Sequence, residues 1–282
     1  MAGTTPPVDD PQPQHLTPLT VEILDALAAL PLTEEVDETS EASPPTVRVE
    51  LLGPVLITGL PDHAGHLSRR STELLVYLAI RGRATGPELD EALSYGERID
   101  SHTRNSLVYP TQQRVGADVL PVVGADGIYR LGDAVTTDWS EFQSHARRGL
   151  AAGLDGIDEL RSAMNLVRDR PLLGVRDADY AWAEHDVQHM ISTVADVAHV
   201  LSRLLIEAGD ARGSLEAATQ GLNVDACSEL LLDALQAAAS ADDAMAADRL
   251  RARYVEDLTA LGVEEGTRRP VNADRTRVGS RS

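Results

Sequence analysis

The chain has 282 residues, enough for two domains of ordinary size, and is 43% hydrophobic but only 3% aromatic, so Leu, Val and Ala must fill its cores. Its net charge is −20 and all 25 basic residues are arginine, which excludes a P-loop lysine, Schiff-base chemistry and a lysine general base. No run of 18 or more apolar residues predicts a membrane span, and a single cysteine, Cys227, excludes an internal disulfide.

Residues 1–46 carry nine acids and no Arg. They open on MAGTTPPVDDPQPQ, which lacks the charged and then apolar stretch of a secretory signal, so with its single thiol the chain is expected in the cytoplasm. The Pro-, Thr- and Glu-rich stretches 1–15 and 31–46 read as disordered. Between them Thr17 and Pro18 open a short helix. Leu19, Ile23, Leu27 and Leu30 line one face of it at spacings of four, four and three. About 13 residues is marginal for an isolated helix, so this stripe is expected to fold against a surface, its own protein's or a partner's.

Residues 47–135 carry eleven acids and nine Arg, a net −2. Because phosphate contact dominates duplex affinity, this is the one folded segment able to approach DNA without large repulsion. Runs 47–52 and 55–58 are β-branched and bounded by Gly53-Pro54 and Gly59, so two short strands are predicted. Ser68 caps a first helix over 69–79 that buries Leu74, Leu75 and Leu78. Thr85-Gly86-Pro87-Glu88 is a capping box opening a second helix to Leu93. A third helix is predicted over 100–115. Stretches 119–123 and 127–131, joined by Gly124-Ala125-Asp126, read as a β-hairpin. The order matches a winged helix-turn-helix.

Residues 136–262 carry 22 acids and 11 Arg, a net −11. Helices are predicted over 138–151, 156–167, 180–208, 211–222, 227–239 and 242–261, with Gly209-Asp210 and Gly221 as C-terminal signals. The last four alternate as antiparallel pairs with small residues at their contacts (Ala217, Ala218, Ala237, Ala238), like tetratricopeptide repeats. Cys227 falls on a helix face as a small apolar residue. The tail 263–282, with three acids and five Arg, reads as disordered.

Taken together, RRSTELLVYLAIR at 69–81, Thr103-Arg104-Asn105-Ser106-Leu107, Asp126-Gly127-Ile128-Tyr129-Arg130-Leu131 and Asp138-Trp139 with Phe142 resemble a known family. It is that of the actinobacterial regulators that fuse a winged helix to a bacterial transcriptional activator domain, the Streptomyces antibiotic regulatory protein type. The fit is best to the subgroup at the C-terminus of LysM-containing proteins, and it covers about 47–262. Arg170-Pro171-Leu172-Leu173 followed by Trp182-Ala183-Glu184 looks like the stretch joining the family's early activator-domain helices. The resemblance implies an α+β, mostly α fold: a winged helix followed by a helical, tetratricopeptide-like activator domain.

The third helix occupies the recognition position, and there the chain departs from the family. Pro110, Gln112 and Gln113 stand where relatives usually carry several Arg. An interior proline removes a hydrogen bond and clashes with the preceding turn at ~3 kcal/mol, so the helix is expected to kink there, or to end near Tyr109 and restart at Thr111. The candidate DNA contacts are Arg104, Asn105, Gln112 and Arg114, with Arg130 from the hairpin. Arg104 could alternatively pair with Asp100 across one turn.

Elsewhere, His185-Asp186-Val187-Gln188-His189 resembles the zinc-peptidase H-E-x-x-H. Its Asp would sit a methylene too far back, and no third ligand stands at a suitable spacing, so packing or surface histidines are expected. Trp139 and Trp182 read as core or helix-contact residues. No nucleophile elbow, phosphate loop or calcium loop is present, so neither enzyme chemistry nor a metal or cofactor is expected. Two functions compete. One is a regulator docking duplex DNA, with the helical half meeting a protein partner or a second protomer. The other is a protein-interaction module whose winged helix no longer binds DNA.

Overall fold

The computed structural model describes residues 47–94, 101–175, 179–226 and 228–260. The predicted 17–30 helix and Cys227 lie outside them.

Strand β1 (Val47–Glu50) pairs antiparallel with β2 (Leu56–Thr58) and parallel with β5 (Val135–Thr137), giving the order β2-β1-β5. Helix α1 (Arg69–Arg81) starts on Ser68, whose hydroxyl accepts from the Ser71 N–H at 3.1 Å. Strand β3 (Arg83–Thr85) leads into α2 (Gly86–Ala92), where the Thr85–Glu88 capping box is present as predicted. Helix α3 (Ser101–Val115) follows. Leu74, Leu75, Leu78, Leu89, Val115, Val119, Leu120 and Tyr129 close a small core beneath these elements.

Two expectations for this half fail. The predicted 119–123/127–131 hairpin does not form: β4 (Ile128–Arg130) pairs antiparallel with β3, matching Ala84 with Tyr129. Residues 119–123 carry no strand. Pro121 cannot donate to a ladder, and the crossing that remains is the Gly132 N–H on the Val119 carbonyl at 3.0 Å. The turn itself survives, with the Gly127 N–H on the Gly124 carbonyl at 3.1 Å. Second, of the two courses expected at Pro110, an end near Tyr109 with a restart at Thr111 does not occur: α3 runs helical through the proline. Pro110 is on the exposed face, where water can satisfy the orphaned carbonyl of the preceding turn. On the buried face Thr111 Oγ1 bonds the Leu107 carbonyl (2.8 Å) and Ser71 Oγ (2.9 Å), stitching the helix to α1.

Thr137 ends β5 and caps α4 (Asp138–Ala152). Then come α5 (Ile157–Asn165), α6 (Glu184–Glu207), α7 (Ala211–Val224), α8 (Ser228–Ser240) and α9 (Ala244–Ala260). Each of the last four packs on the next, as three-residue connections dictate. Gly209, at φ +82°, ends α6 as expected. Gly221 is instead buried inside α7: a Cβ there would meet Ala198 Cβ and Leu230 Cδ1, each at 2.7 Å. It is a close-approach glycine, not a C-cap. Ala217, Ala218, Ala237 and Ala238 are buried.

One strand serves both cores. Val47 joins the small core, whereas Val49, Leu51, Leu52 and Val76 join the large one with Phe142, Leu150, Leu160 and Met190. Residues 51–53 then run between α4 and the stretch after α5. Asp138 accepts the Leu51 and Leu52 N–H groups (2.7 and 2.9 Å). The Leu51 and Leu52 carbonyls accept from Leu172 (3.0 Å) and Arg168 (2.8 Å). Arg168 also reaches Glu50 at 3.1 Å and Asp138 at 3.6 Å. Burial pushes the Asp138 carboxyl upward, and the two N–H groups, Arg168 and Arg48 pull it back.

Among the described residues, 181–207 is long and apolar enough to cross a membrane, yet most of its apolar face is buried inside the molecule against α7 and α8. It reads as a core helix.

Candidate nucleic-acid interface

At about 100° per residue, the fifteen positions of α3 divide cleanly. Arg104, Thr111 and Val115 fall on the inner side, and Thr111 and Val115 are buried. His102, Asn105, Ser106, Tyr109 and Gln113 fall on the opposite side and are all exposed, Tyr109 at 63%. In a chain of net charge −20, α3 is the only α-helix among the described residues that carries no carboxylate.

Arg104 points inward because α2 and β4 supply it with acceptors. Its guanidinium pairs with Asp90 and donates to the Tyr129 hydroxyl at 3.1 Å, and its carbon lies 5.9 Å from the Tyr129 ring centroid. The side chain is only 15% exposed. Burial opposes the charge, but Asp90 and Tyr129 outweigh it and hold the group firmly protonated. The alternative partner across one turn, Asp100, lies outside the described residues.

The other candidates are also engaged by the fold. Gln112 Nε2 donates to the Leu120 carbonyl at 2.9 Å, fastening α3 to the segment after it. Arg114 donates to the His66 carbonyl at 3.0 Å from an exposed position on the flank of α3. Arg130 pairs with Asp126 at the turn. Asn105 lies on the outward side of α3. Leu19, Ile23, Leu27 and Leu30 lie outside the described residues.

The structure adds a seam that the sequence did not announce. Arg69, Glu73, Tyr77 and Arg81 recur every four residues along α1, and all four meet the segment leading into α6 or the first turn of α6. Arg69 pairs with Asp179 at 3.0 Å, and Arg81 with Asp186 at 2.9 Å. The Trp182 indole N–H reaches the buried Glu73 carboxylate at 3.3 Å. Trp182 also meets Tyr77 edge-on, with centroids 4.7 Å apart. The i, i+4 spacing was available as a signal, but Arg69 and Arg81 read naturally as solvated or phosphate-facing.

The His185–His189 segment serves packing. Asp186 is held by Arg81, and His189 stands edge-on to Trp139 at 6.2 Å. Burial, with a smaller contribution from His185, pushes the His189 imidazole below its usual pKa, and its buried Nε2 has no partner among the described residues. No group of three potential metal ligands exists among the described residues.

No protein-family model and no curated protein matches the chain. Among solved structures the chain is similar to EmbR of Mycobacterium tuberculosis, determined in complex with a low-affinity phosphopeptide. The two are 20% identical with a TM-score of 0.57, over 79% of this chain and 62% of EmbR. The chain thus spans somewhat less than two thirds of EmbR's length, and the likeness is one of fold. It is compatible with a winged helix followed by a helical domain.

Proposed function

We propose that the chain is a transcriptional-regulator-type protein of the cytoplasm, in which a winged helix facing duplex DNA is joined to a helical domain that meets a protein partner or a second protomer. The observation that carries this reading is α3. It stands in the recognition position, its outer side is open to solvent, and it lacks carboxylates in a strongly acidic chain. The α1 seam supports a mechanical link: the winged half and the entry to α6 share two ion pairs and an aromatic contact. Movement of either would be felt by the other. EmbR was determined with a phosphopeptide, and a peptide-type partner for this chain belongs to the same proposal. The proposed partner-binding stripe is Leu19, Ile23, Leu27 and Leu30.

A second reading is favoured by one observation. Arg104, Arg114 and Arg130 each spend their guanidinium on a partner within the fold, as expected of an interaction module without DNA affinity. Titration of a labelled mixed-sequence duplex with the full chain at low salt separates the two. Binding that weakens steeply as salt rises supports the regulator. Absence of binding at low salt leaves the interaction module.

A further inference from the structure

We infer that α3 reads DNA through neutral side chains on the face centred on Tyr109, and that its target is an adenine- and thymine-containing major-groove site. This rests on the regulator reading above and goes further by assigning the reading residues and the bases. His102, Asn105, Ser106, Tyr109 and Gln113 share one side of α3 and are all exposed. Arg104, the basic side chain nearest the start of the helix, is on the other side and is held by Asp90 and Tyr129. Arg114 stands on the flank, bonded to the His66 carbonyl.

Bidentate recognition of guanine needs a guanidinium or ammonium on O6 and N7, whereas a carboxamide matches the N6 and N7 groups of adenine. The outward face offers two carboxamides, Asn105 and Gln113, eight residues or about 12 Å apart along the axis. No guanidinium lies between them on that face. Tyr109 projects midway between them, placed to meet a thymine methyl by apolar contact. α3 carries no carboxylate, which removes one local source of repulsion toward the phosphates lining the groove.

The test is enrichment from a random duplex pool with the full chain, followed by affinity measurement for Asn105→Ala and Gln113→Ala. Both residues are exposed, and circular dichroism checks that the variants keep their fold. An enriched site rich in adenine, weakened about ten-fold or more by either substitution, is the expected result. The salt slope should stay that of the parent, since neither residue carries charge. A guanine-centred site, or any enriched site that both variants hold as tightly as the parent, overturns the assignment and leaves the regulator reading standing. Failure to enrich any duplex overturns both.

Discussion

The two halves of this molecule are held together by different chemistry. The winged half closes a small core and then ties its elements with side-chain bonds: Arg104 to Asp90 and Tyr129, Thr111 to Ser71, Gln112 to the Leu120 carbonyl. The helical half relies on close aliphatic packing, with Gly221 against Ala198 and Leu230, and Ala217, Ala218, Ala237 and Ala238 at zero to five per cent exposure. Directional bonds act at individual residues, and in the first half Arg104, Arg114 and Arg130 each serve as fasteners. Packing by small residues has no such single fastener.

The largest expected effect tests whether the halves are separable. Asp138→Ala leaves the buried Leu51 and Leu52 N–H groups without acceptors and takes a partner from Arg168. Urea denaturation should show a loss of about 4 kcal/mol, and hydrogen exchange should quicken in both halves. Exchange rising in the helical half alone would mean that the shared strand does not couple them. Arg104→Ala should remove about 3 kcal/mol by stranding Asp90 and the Tyr129 hydroxyl, with faster exchange concentrated in α2, α3 and β4. An unchanged midpoint would return Arg104 to the list of free DNA contacts.

Gly221→Val is the matching probe of the other half. The added Cβ and methyls collide with Ala198 and Leu230, for about 2 kcal/mol, and the midpoint should fall without change in duplex affinity. A double-mutant cycle on Tyr77 and Trp182 should return about 1 kcal/mol of coupling across the seam. Zero coupling would mean that the seam is contact without energy.

The smallest effect is a change of slope with pH. His189 has a folded pKa below its unfolded value of about 6.5, so the unfolded chain binds the proton more readily. Its contribution to stability is therefore present above about 6.5 and fades as pH falls through that value toward the folded pKa. Asp138 and Asp186, raised by burial, act oppositely and nearer pH 4. His189→Gln should flatten thermal stability as pH falls below about 6.5, and an unaltered profile would exclude His189 as its source.

Much of this architecture is legible in the residues. Ser68, the Thr85–Glu88 box and the Thr137–Asp138 entry are local signals whose partners lie within four residues. The alanines of α7 and α8 are legible because close helix contact admits little else. What escaped depended on distance along the chain. Asp90 and Tyr129 stand 14 and 25 residues from Arg104, so nothing near Arg104 shows that it faces inward. The missing hairpin has a local cause, since 119–123 is β-branched and apolar but Pro121 interrupts it. The continuity of α3 through Pro110 depended on the proline facing water, which follows only once Thr111 and Val115 are known to face the core. The α1 seam joins residues about 110 positions apart.

The shared strand also sets an order of events at the ribosome. Residues 47–135 are made first, but the cover over the face formed by Val49, Leu51 and Leu52, begun by α4, is not complete until the chain has grown past position 173. At about 5–20 residues per second the gap lasts roughly 2–8 s. A nascent winged half therefore waits with a greasy flank incompletely covered, a natural station for a chaperone. An excised fragment ending at 135 would carry that exposure for life.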